Sequence, residues 1–364
     1  MRIALFHTTL PEKGRKLGGV EIAVHRLANQ LALDKDDEVT VLSLTPCPDD
    51  AKYSHKHLFS ARSALKDSQL LRLFGLPFLM NFVDWSSYDV VHFHGDDWFL
   101  LRRPFSSVRT LHGSALFEAR SATSIKRKIA QYCVFPLEYL SARLATIPLA
   151  VGPKTAVVYN IDRLANNGVN IDLFKPGEKA DHPQILYIGT WEGRKRGNFI
   201  FEQFVEHVFP KLPSAELIMV SDQAPDHPNV RRVHFPDDET LAELYRSAWV
   251  FAYPSVYEGF GIPYIEAMAS GTAVVCSPND GASYVLDNGK YGAVVDDADF
   301  AQSLIELLQN KSRREDMVQA GLGRAHSFSW EAVARQHKEI YVQSLLKKGD
   351  RTLLTDTGEE IHEY

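Results

Sequence analysis

The stretch 249–276 constrains the chain most. It opens on an apolar run, WVFAY (249–253), of the length and composition of a buried strand. A turn-rich loop, 254–261, ends in Gly-Phe-Gly. Residues 262–270 then read as a helix, with Pro263 in the first turn, where its missing N–H costs nothing, and Gly271 past the end. A second apolar run, TAVVC (272–276), closes the unit. Strand, loop, helix and strand at this spacing make the repeating unit of a parallel α/β sheet, because parallel neighbours need a crossover and a helix supplies it. Gly259 and Gly261 stand directly before the helix N-terminus. Such a junction turns free backbone N–H groups and the positive end of the helix dipole toward an anion. Glu258 lies in the loop and Glu266 in the helix, with seven residues between them. A carboxylate beside an anion site repels the anion, so its use there is to accept hydrogen bonds from sugar hydroxyls. The alternative is a tight turn with two solvated glutamates. Glu266 fits that alternative poorly, since Ile262, Ile265, Ala267, Met268 and Ala269 around it are apolar.

The segment EGFGIPYIEAMASGTAVV resembles the signature of the retaining family 4 glycosyltransferases. These are nucleotide-sugar enzymes of the GT-B fold, an α/β architecture of two Rossmann-like domains whose parallel sheets face a central cleft. The resemblance implies that Glu266 binds the donor ribose hydroxyls and that Glu258 contacts the donor hexose. It implies that the amides of Gly259, Phe260 and Gly261 face the sugar and the pyrophosphate.

A chain of 364 residues is too long for one ordinary domain and comfortable for two. Its net charge of −6 gives no basic footprint for nucleic acid. Three widely spaced cysteines, Cys47, Cys133 and Cys276, suggest neither a disulfide framework nor a zinc site, so a reducing cytoplasm is the expectation. The N-terminus reads as a strand rather than a signal peptide. The run 70–83 is interrupted by Arg72, Gly75 and Pro77 and falls short of a membrane span. A protein in the cytoplasm, or lying on the inner membrane face, is expected.

The first half opens with a strand (3–6), a glycine-bearing loop (14–19), a helix (21–33) and a strand (38–44), a Rossmann-type start. The GxGxxG spacing and an acidic residue closing the second strand are missing, which weakens a dinucleotide reading. Gly18-Gly19-Val20-Glu21 resembles the N-terminal glycine loop of family 4, which approaches donor phosphate and acceptor. A plain strand–helix turn is the alternative. Residues 64–83 read as a core helix and loop or as an interfacial amphipathic segment. The strand 88–94 ends in His92 and His94, followed by Asp96 and Asp97; period-two spacing on a strand argues against a metal set. The strand 108–111 leads to His112, at the carboxyl end where ligands of open sheets gather. The family has a histidine there that contacts the donor sugar; the alternative is a hydrogen-bonded structural histidine. Residues 124–145 read as a helix kinked or divided at Pro136; its Lys126-Arg127-Lys128 cluster is a solvated face or a contact for anionic lipid or an anionic acceptor. Short strands are expected at 145–149 and 156–159.

The segment 166–174 resembles the family's Asn-Gly-Val-Asp linker, with Asn170 where Asp is usual. The strand 184–188 leads to a loop, 189–197, with three consecutive cations before a helix (198–208), a suitable clamp for a diphosphate; the alternative is a merely solvated basic loop. The family has Gly-Arg early in this loop and Lys-Gly at its end; Thr190 and Arg196 stand at those positions here. Strands follow at 215–220 and 230–235, and the resemblance sets Val233, His234 and Phe235 beside the nucleotide base. Helices are expected at 238–248, 300–309 and 313–325. A final helix, 329–346, crosses back to the first half. The expected division is 1–173 for the acceptor side, 174–328 for the donor side, 329–348 for the returning helix and 349–364 for a polar tail.

The resemblance thus implies transfer of a hexose, with retention, from a nucleoside-diphosphate sugar to an acceptor hydroxyl. A UDP-sugar is the first choice and a GDP-sugar the second; the acceptor is a glycan, a lipid-linked molecule or a small molecule. The implied catalytic residues are Glu258, His112 and Arg196. The implied donor-binding set is Gly18, Gly19, Thr190, Arg194, Lys195, Arg196, Val233, His234, Phe235, Glu258, Gly259, Phe260, Gly261, Ile262 and Glu266. No metal or other cofactor is implied. The competing readings are a sugar-nucleotide epimerase or hydrolase on the same architecture, which would need an acid/base set in the cleft, and a non-catalytic partner subunit.

Overall fold

A computed structural model describes residues 1–12, 18–59, 71–122, 124–234 and 236–349. Among these, two six-stranded sheets form, each parallel throughout. The first contains β1 (Arg2–Phe6), β2 (Glu38–Ser43), β3 (Ser54–His57), β4 (Val90–Phe93), β5 (Ser106–Leu111) and β6 (Ile147–Ala150) in the order β3-β2-β1-β4-β5-β6. The second contains β7 (Gln184–Ile188), β8 (Glu216–Val220), β9 (Val230–Val233), β10 (Val250–Tyr253), β11 (Ala273–Cys276) and β12 (Ala293–Val294) in the order β12-β11-β10-β7-β8-β9. The second order repeats the first. Both are doubly wound, and the chain reverses direction between β1 and β4 and again between β7 and β10. Ligands of such sheets bind at that switch, beyond the strand carboxyl ends. The loops beyond β7 and β10 are 189–197 and 254–261, the two that the sequence marks.

Burial explains the strand composition. Ile3–Phe6 and Val250–Tyr253 are fully buried because helices cover both faces of each sheet. Pro148 sits in the edge strand β6, where its missing donor breaks no inner ladder.

The helix Trp330–Lys348 starts on Ser329, whose hydroxyl accepts from the Ala332 amide at 3.2 Å, and ends at Gly349 in the left-handed region. Its Val333, Ala334, Ile340, Tyr341 and Leu345 share one core with Ile3, Val24, Leu27 and Val108 of the first half. The outgoing linker lies beside it, since the Val169 amide donates to the Phe328 carbonyl at 2.8 Å. Asn170 makes a turn of its own there: its side-chain oxygen takes the Asp172 amide at 3.2 Å.

Three expectations need correction, and the alternative of a helix divided at Pro136 is removed. Residues 156–159 are not a strand but the end of a helix, Pro153–Tyr159, which Pro153 opens and left-handed Asn160 closes; the β-branched pair Val157-Val158 misled. The helix Ile125–Leu144 runs undivided through Pro136. The helix after the cationic loop is α-helical only over Gly197–Gln203 and continues as a π-helical turn, Phe204–Val208. The strand expected at 230–235 stops at Val233. In the segment 71–82, short helical turns bury Leu76 and Met80 and expose Phe74, Phe78 and Phe82.

Candidate active site

The loop 254–261 brings Glu258 against the cationic loop. The Val256 amide donates to the Arg194 carbonyl at 3.0 Å, which staples the two loops together. Glu258 is 6% exposed, and its Oε1 accepts from Arg194 Nη1 at 2.7 Å, Lys195 Nζ at 2.7 Å, Ser255 Oγ at 2.6 Å and the Tyr253 hydroxyl at 3.0 Å. Burial pushes this carboxyl upward, but the Lys195 and Arg194 charges hold it below the usual glutamate range, so it is ionised. Lys195 Nζ also lies 4.5 Å from the centre of the Tyr253 ring. Burial pushes the Lys195 ammonium below its ordinary range, and the Glu258 charge opposes that shift.

Arg196 is not part of that knot. Its backbone is left-handed (φ 59°, ψ 49°), which turns its side chain to Asp297 in a two-pronged pair at 2.9 and 2.6 Å, over the Phe199 ring at 4.0 Å. Thr190 supplies no charge; its hydroxyl donates to the Glu192 carbonyl at 2.8 Å.

The helix Ile262–Ala269 starts at Gly261, whose φ of 98° suits glycine, and whose added Cβ would stand 2.4 Å from the Tyr264 ring. Glu266 points inward and accepts from the Tyr245 hydroxyl at 3.0 Å. Burial raises its carboxyl to about 7. Phe260 and Ile262 pack into the core of the second half.

The first half touches this elbow directly. A Cβ on Gly152 would stand 2.2 Å from the Gly259 carbonyl oxygen, and one on Gly259 would stand 3.0 Å from that of His112. Glycine at both positions lets the backbones of the two halves meet. His112 Nε2 lies 2.8 Å from His94 Nδ1, and burial pushes His112 down to about 3, so it is neutral. The Lys154–Asp280 pair at 2.9 Å and the Tyr284–Asn166 hydrogen bond at 2.7 Å flank the contact.

Other expected residues lie further out. Gly18 caps the helix Gly19–Leu31: its amide donates to Glu21 Oε2 at 3.0 Å, while Glu21 Oε1 takes the Thr9 hydroxyl at 2.6 Å. Val233 ends the edge strand β9, and its carbonyl accepts from the Ser221 amide at 3.2 Å. His234 follows it, and Phe235 lies outside the described residues. His92 is tied at both nitrogens, to Tyr341 and Thr110, each at 2.8 Å. Asp97 is buried between Arg103 at 2.8 Å and Arg109 at 3.1 Å. Among the described residues, no group of three or more His, Cys, Asp or Glu side chains is placed to hold a metal ion.

Sequence reasoning missed Tyr245, Asp297 and His94 as partners of Glu266, Arg196 and His112. Only His94 carried a signal, its place at the tip of a central strand.

Residues 17–161 match the family described as Glycosyltransferase Family 4, and residues 182–310 match Glycosyl transferases group 1. The phosphatidyl-myo-inositol mannosyltransferase of Mycobacterium tuberculosis (strain ATCC 25618 / H37Rv) is 27% identical over 282 residues, 70% of this chain and 73% of that one. The O-antigen chain mannosyltransferase B of Escherichia coli is 38% identical over 170 residues, 43% of this chain and 45% of that one. The structure of sucrose-phosphate synthase from Thermosynechococcus elongatus superposes with a TM-score of 0.75 at 21% identity, over 95% of this chain and 99% of that one. Both halves therefore carry the family's sequence as well as its doubly wound sheets, and the chain belongs to glycosyltransferase family 4, a glycosyltransferase of the GT-B fold.

Proposed function

We propose that the enzyme moves a hexose from a nucleoside-diphosphate sugar to an acceptor hydroxyl with retained anomeric configuration. The single observation that carries this reading is the Arg194–Lys195–Glu258 knot at the switch point of the second sheet, beside the Gly261 helix start. Departure of a nucleoside diphosphate leaves charge on its terminal phosphate. Arg194, Lys195 and the backbone amides of 259–261 meet that charge electrostatically, so the reading invokes no metal. Glu258, held ionised, accepts from hexose hydroxyls, and Glu266 accepts from the ribose. His112, neutral and at the junction of the halves, contacts the sugar. Arg196 joins the phosphate site only if its pair with Asp297 opens. Retention follows from the family resemblance, with the leaving phosphate taking the acceptor proton.

A UDP-sugar stands first and a GDP-sugar second. A thermal-shift screen of UDP, GDP and ADP tests the donor site: one nucleotide should raise the melting temperature by several degrees. No shift with any of them would overturn the reading. Incubating donor without acceptor separates transfer from epimerisation or hydrolysis.

The proposal includes peripheral contact with a membrane. Ile125 (75% exposed) and Ile129 (60%) flank the Lys126-Arg127-Lys128 cluster, an apolar and cationic combination suited to an anionic surface. Co-sedimentation with phosphatidylglycerol vesicles, but not phosphatidylcholine vesicles, is expected; equal recovery in both supernatants would remove this part.

A further inference from the structure

A second cavity opens in the first half, beyond the carboxyl ends of β4 and β5. It encloses about 300 Å³, and His112 stands in its wall, so it adjoins the elbow of the donor side. Three carboxylate side chains line it: Asp96, Glu118 and Glu138. Asp96 has a left-handed backbone (φ 54°) and accepts from the Thr8 hydroxyl. Glu118 takes Gln131 Nε2 at 3.2 Å and, on the same oxygen, the exposed Arg127 at 3.3 Å. Glu138 takes the Ala115 amide at 3.1 Å, on the same oxygen that accepts from the Tyr159 hydroxyl.

Among the described lining residues, Arg109 alone is an arginine or lysine. Its Nε is engaged by Ser141 at 2.8 Å and Asp97 at 3.1 Å, and its Nη1 by the Thr110 carbonyl at 2.8 Å. Its charge is therefore already opposed by the buried Asp97. His94 also lines the cavity; its Nε2 is buried without a hydrogen-bond partner among the described residues, and burial holds the ring well below its ordinary range, hence neutral. The Trp98 side chain, with Leu73 and Val134, supplies an apolar wall. Carboxylates that accept from hydroxyls, a neutral imidazole and an apolar wall suit a sugar ring. Asp96 and Glu118 repel a phosphate, and no arginine or lysine among the described lining residues is left to compensate it; Arg127, which pairs with Glu118 at 3.3 Å, lies outside that lining.

Resting on the transfer reading above, we infer that this cavity takes the acceptor as an uncharged saccharide and selects against acceptors that carry phosphate on the reacting sugar. Asp96 and Glu118 are the specificity-determining side chains.

The test is ligand-observed NMR titration of the whole chain, without nucleotide, with methyl α-glycosides of glucose, galactose and mannose and with the 6-phosphates of the same sugars. At least one methyl glycoside should bind, and each 6-phosphate should bind at least about ten-fold more weakly than its neutral counterpart. The ratio should fall toward one in Asp96→Asn/Glu118→Gln. Raising the salt from 0.05 to 0.5 M should narrow it in the wild-type chain as well, a check that needs no variant. Equal or tighter binding of a 6-phosphate, or no binding of any methyl glycoside, would overturn the inference. The nucleotide thermal-shift screen is independent: its failure alongside intact saccharide discrimination would sink the donor reading and leave this one standing.

Discussion

Arg194 Nη1 and Glu258 Oε1 lie 2.7 Å apart, although 64 residues separate them in the chain. The contact joins the loops beyond the two strands that flank the switch point of the second sheet. Lys195 reaches the same oxygen, so the acid, itself almost closed to water, sits ionised between two basic side chains. Glu258→Gln keeps the shape and removes the charge. Two positive groups are then left without their partner, at a cost of about 2 kcal/mol, below that of a fully enclosed pair because Arg194 is 40% exposed. Turnover should fall by on the order of 10²-fold, the size of one lost electrostatic contact to the reacting sugar. Steady-state kinetics and thermal melts check both; turnover at the wild-type rate would reject the hexose role.

Glu266 titrates near neutrality because the helix around it is buried, with the Tyr245 hydroxyl on one carboxylate oxygen. An ionised carboxylate accepts from ribose hydroxyls better than a protonated one. Donor affinity should therefore rise as pH passes upward through about 7. The rise should flatten in Glu266→Gln. Tyr245→Phe removes a hydrogen bond worth about 1 kcal/mol and should raise the donor KM several-fold with little change in kcat. A KM independent of pH between 6 and 8 in the wild-type enzyme, an order-of-unit window around the shifted value, would reject the ribose assignment.

The elbow itself was legible in the sequence because its determinants are local. Glycine before a Pro-started helix and two glutamates at fixed spacing are written within one stretch. The doubly wound sheets followed from apolar runs alternating with amphipathic ones. The partners were not legible: Tyr245 to Glu266, His94 to His112 and Arg196 to Asp297 are 21, 18 and 101 residues apart and meet only through strand order and helix packing. The helix Pro153–Tyr159 was hidden by β-branched residues, although Pro153 after Gly152 signalled a helix start. Nothing local reveals that Arg196 turns away from its neighbours; its left-handed backbone is imposed by the turn into the next helix.

Buried imidazoles should make the join between the first sheet and the returning helix acid-sensitive. His337 is pushed down to about 4 by burial, and His92, 5.5 Å away between ring centres, lies well below its ordinary range. The folded state refuses protons that the unfolded chain accepts near 6.5. Stability from these groups is thus complete above that value and lost as pH falls below it. Each contributes a slope of about 1.4 kcal/mol per pH unit. The melting temperature should drop between pH 7 and pH 5, and His337→Asn should make that drop smaller, whatever its effect at pH 7. An unchanged drop would show that other groups control the acid transition.

Gly152 and Gly323 form a matched pair of substitutions. Gly152→Ala would drive a methyl to 2.2 Å from the Gly259 carbonyl oxygen, where only backbone can give way. The elbow and the first half must separate, with a stability cost of about 1–3 kcal/mol and a clear loss of turnover. Gly323 lies in the helix Lys311–His326 with nothing within 4 Å of an added Cβ. Gly323→Ala should stabilise by up to about 1 kcal/mol through helix propensity and leave turnover alone. Equal turnover in both variants would mean that the contact between the halves has no part in catalysis.

Lys195 and Arg196 are adjacent in sequence but answer to different acids, and their removal should separate them. Lys195 stands over Tyr253 and on Glu258, at the foot of the Gly261 helix, where a terminal phosphate would lie in the proposed mode. Arg196 is two-pronged on Asp297 and stacked on Phe199, so reaching the same phosphate requires it to give up a charge-assisted pair. Lys195→Ala should therefore weaken nucleoside-diphosphate binding in calorimetry by at least ten-fold, about 1.4 kcal/mol. Arg196→Ala should weaken it by less than about three-fold, or 0.7 kcal/mol. The opposite order would mean that Arg196 abandons Asp297 when the donor arrives. Asp297→Ala would then tighten binding, since it releases the arginine beforehand, whereas under the arrangement described here it should leave the affinity where it was.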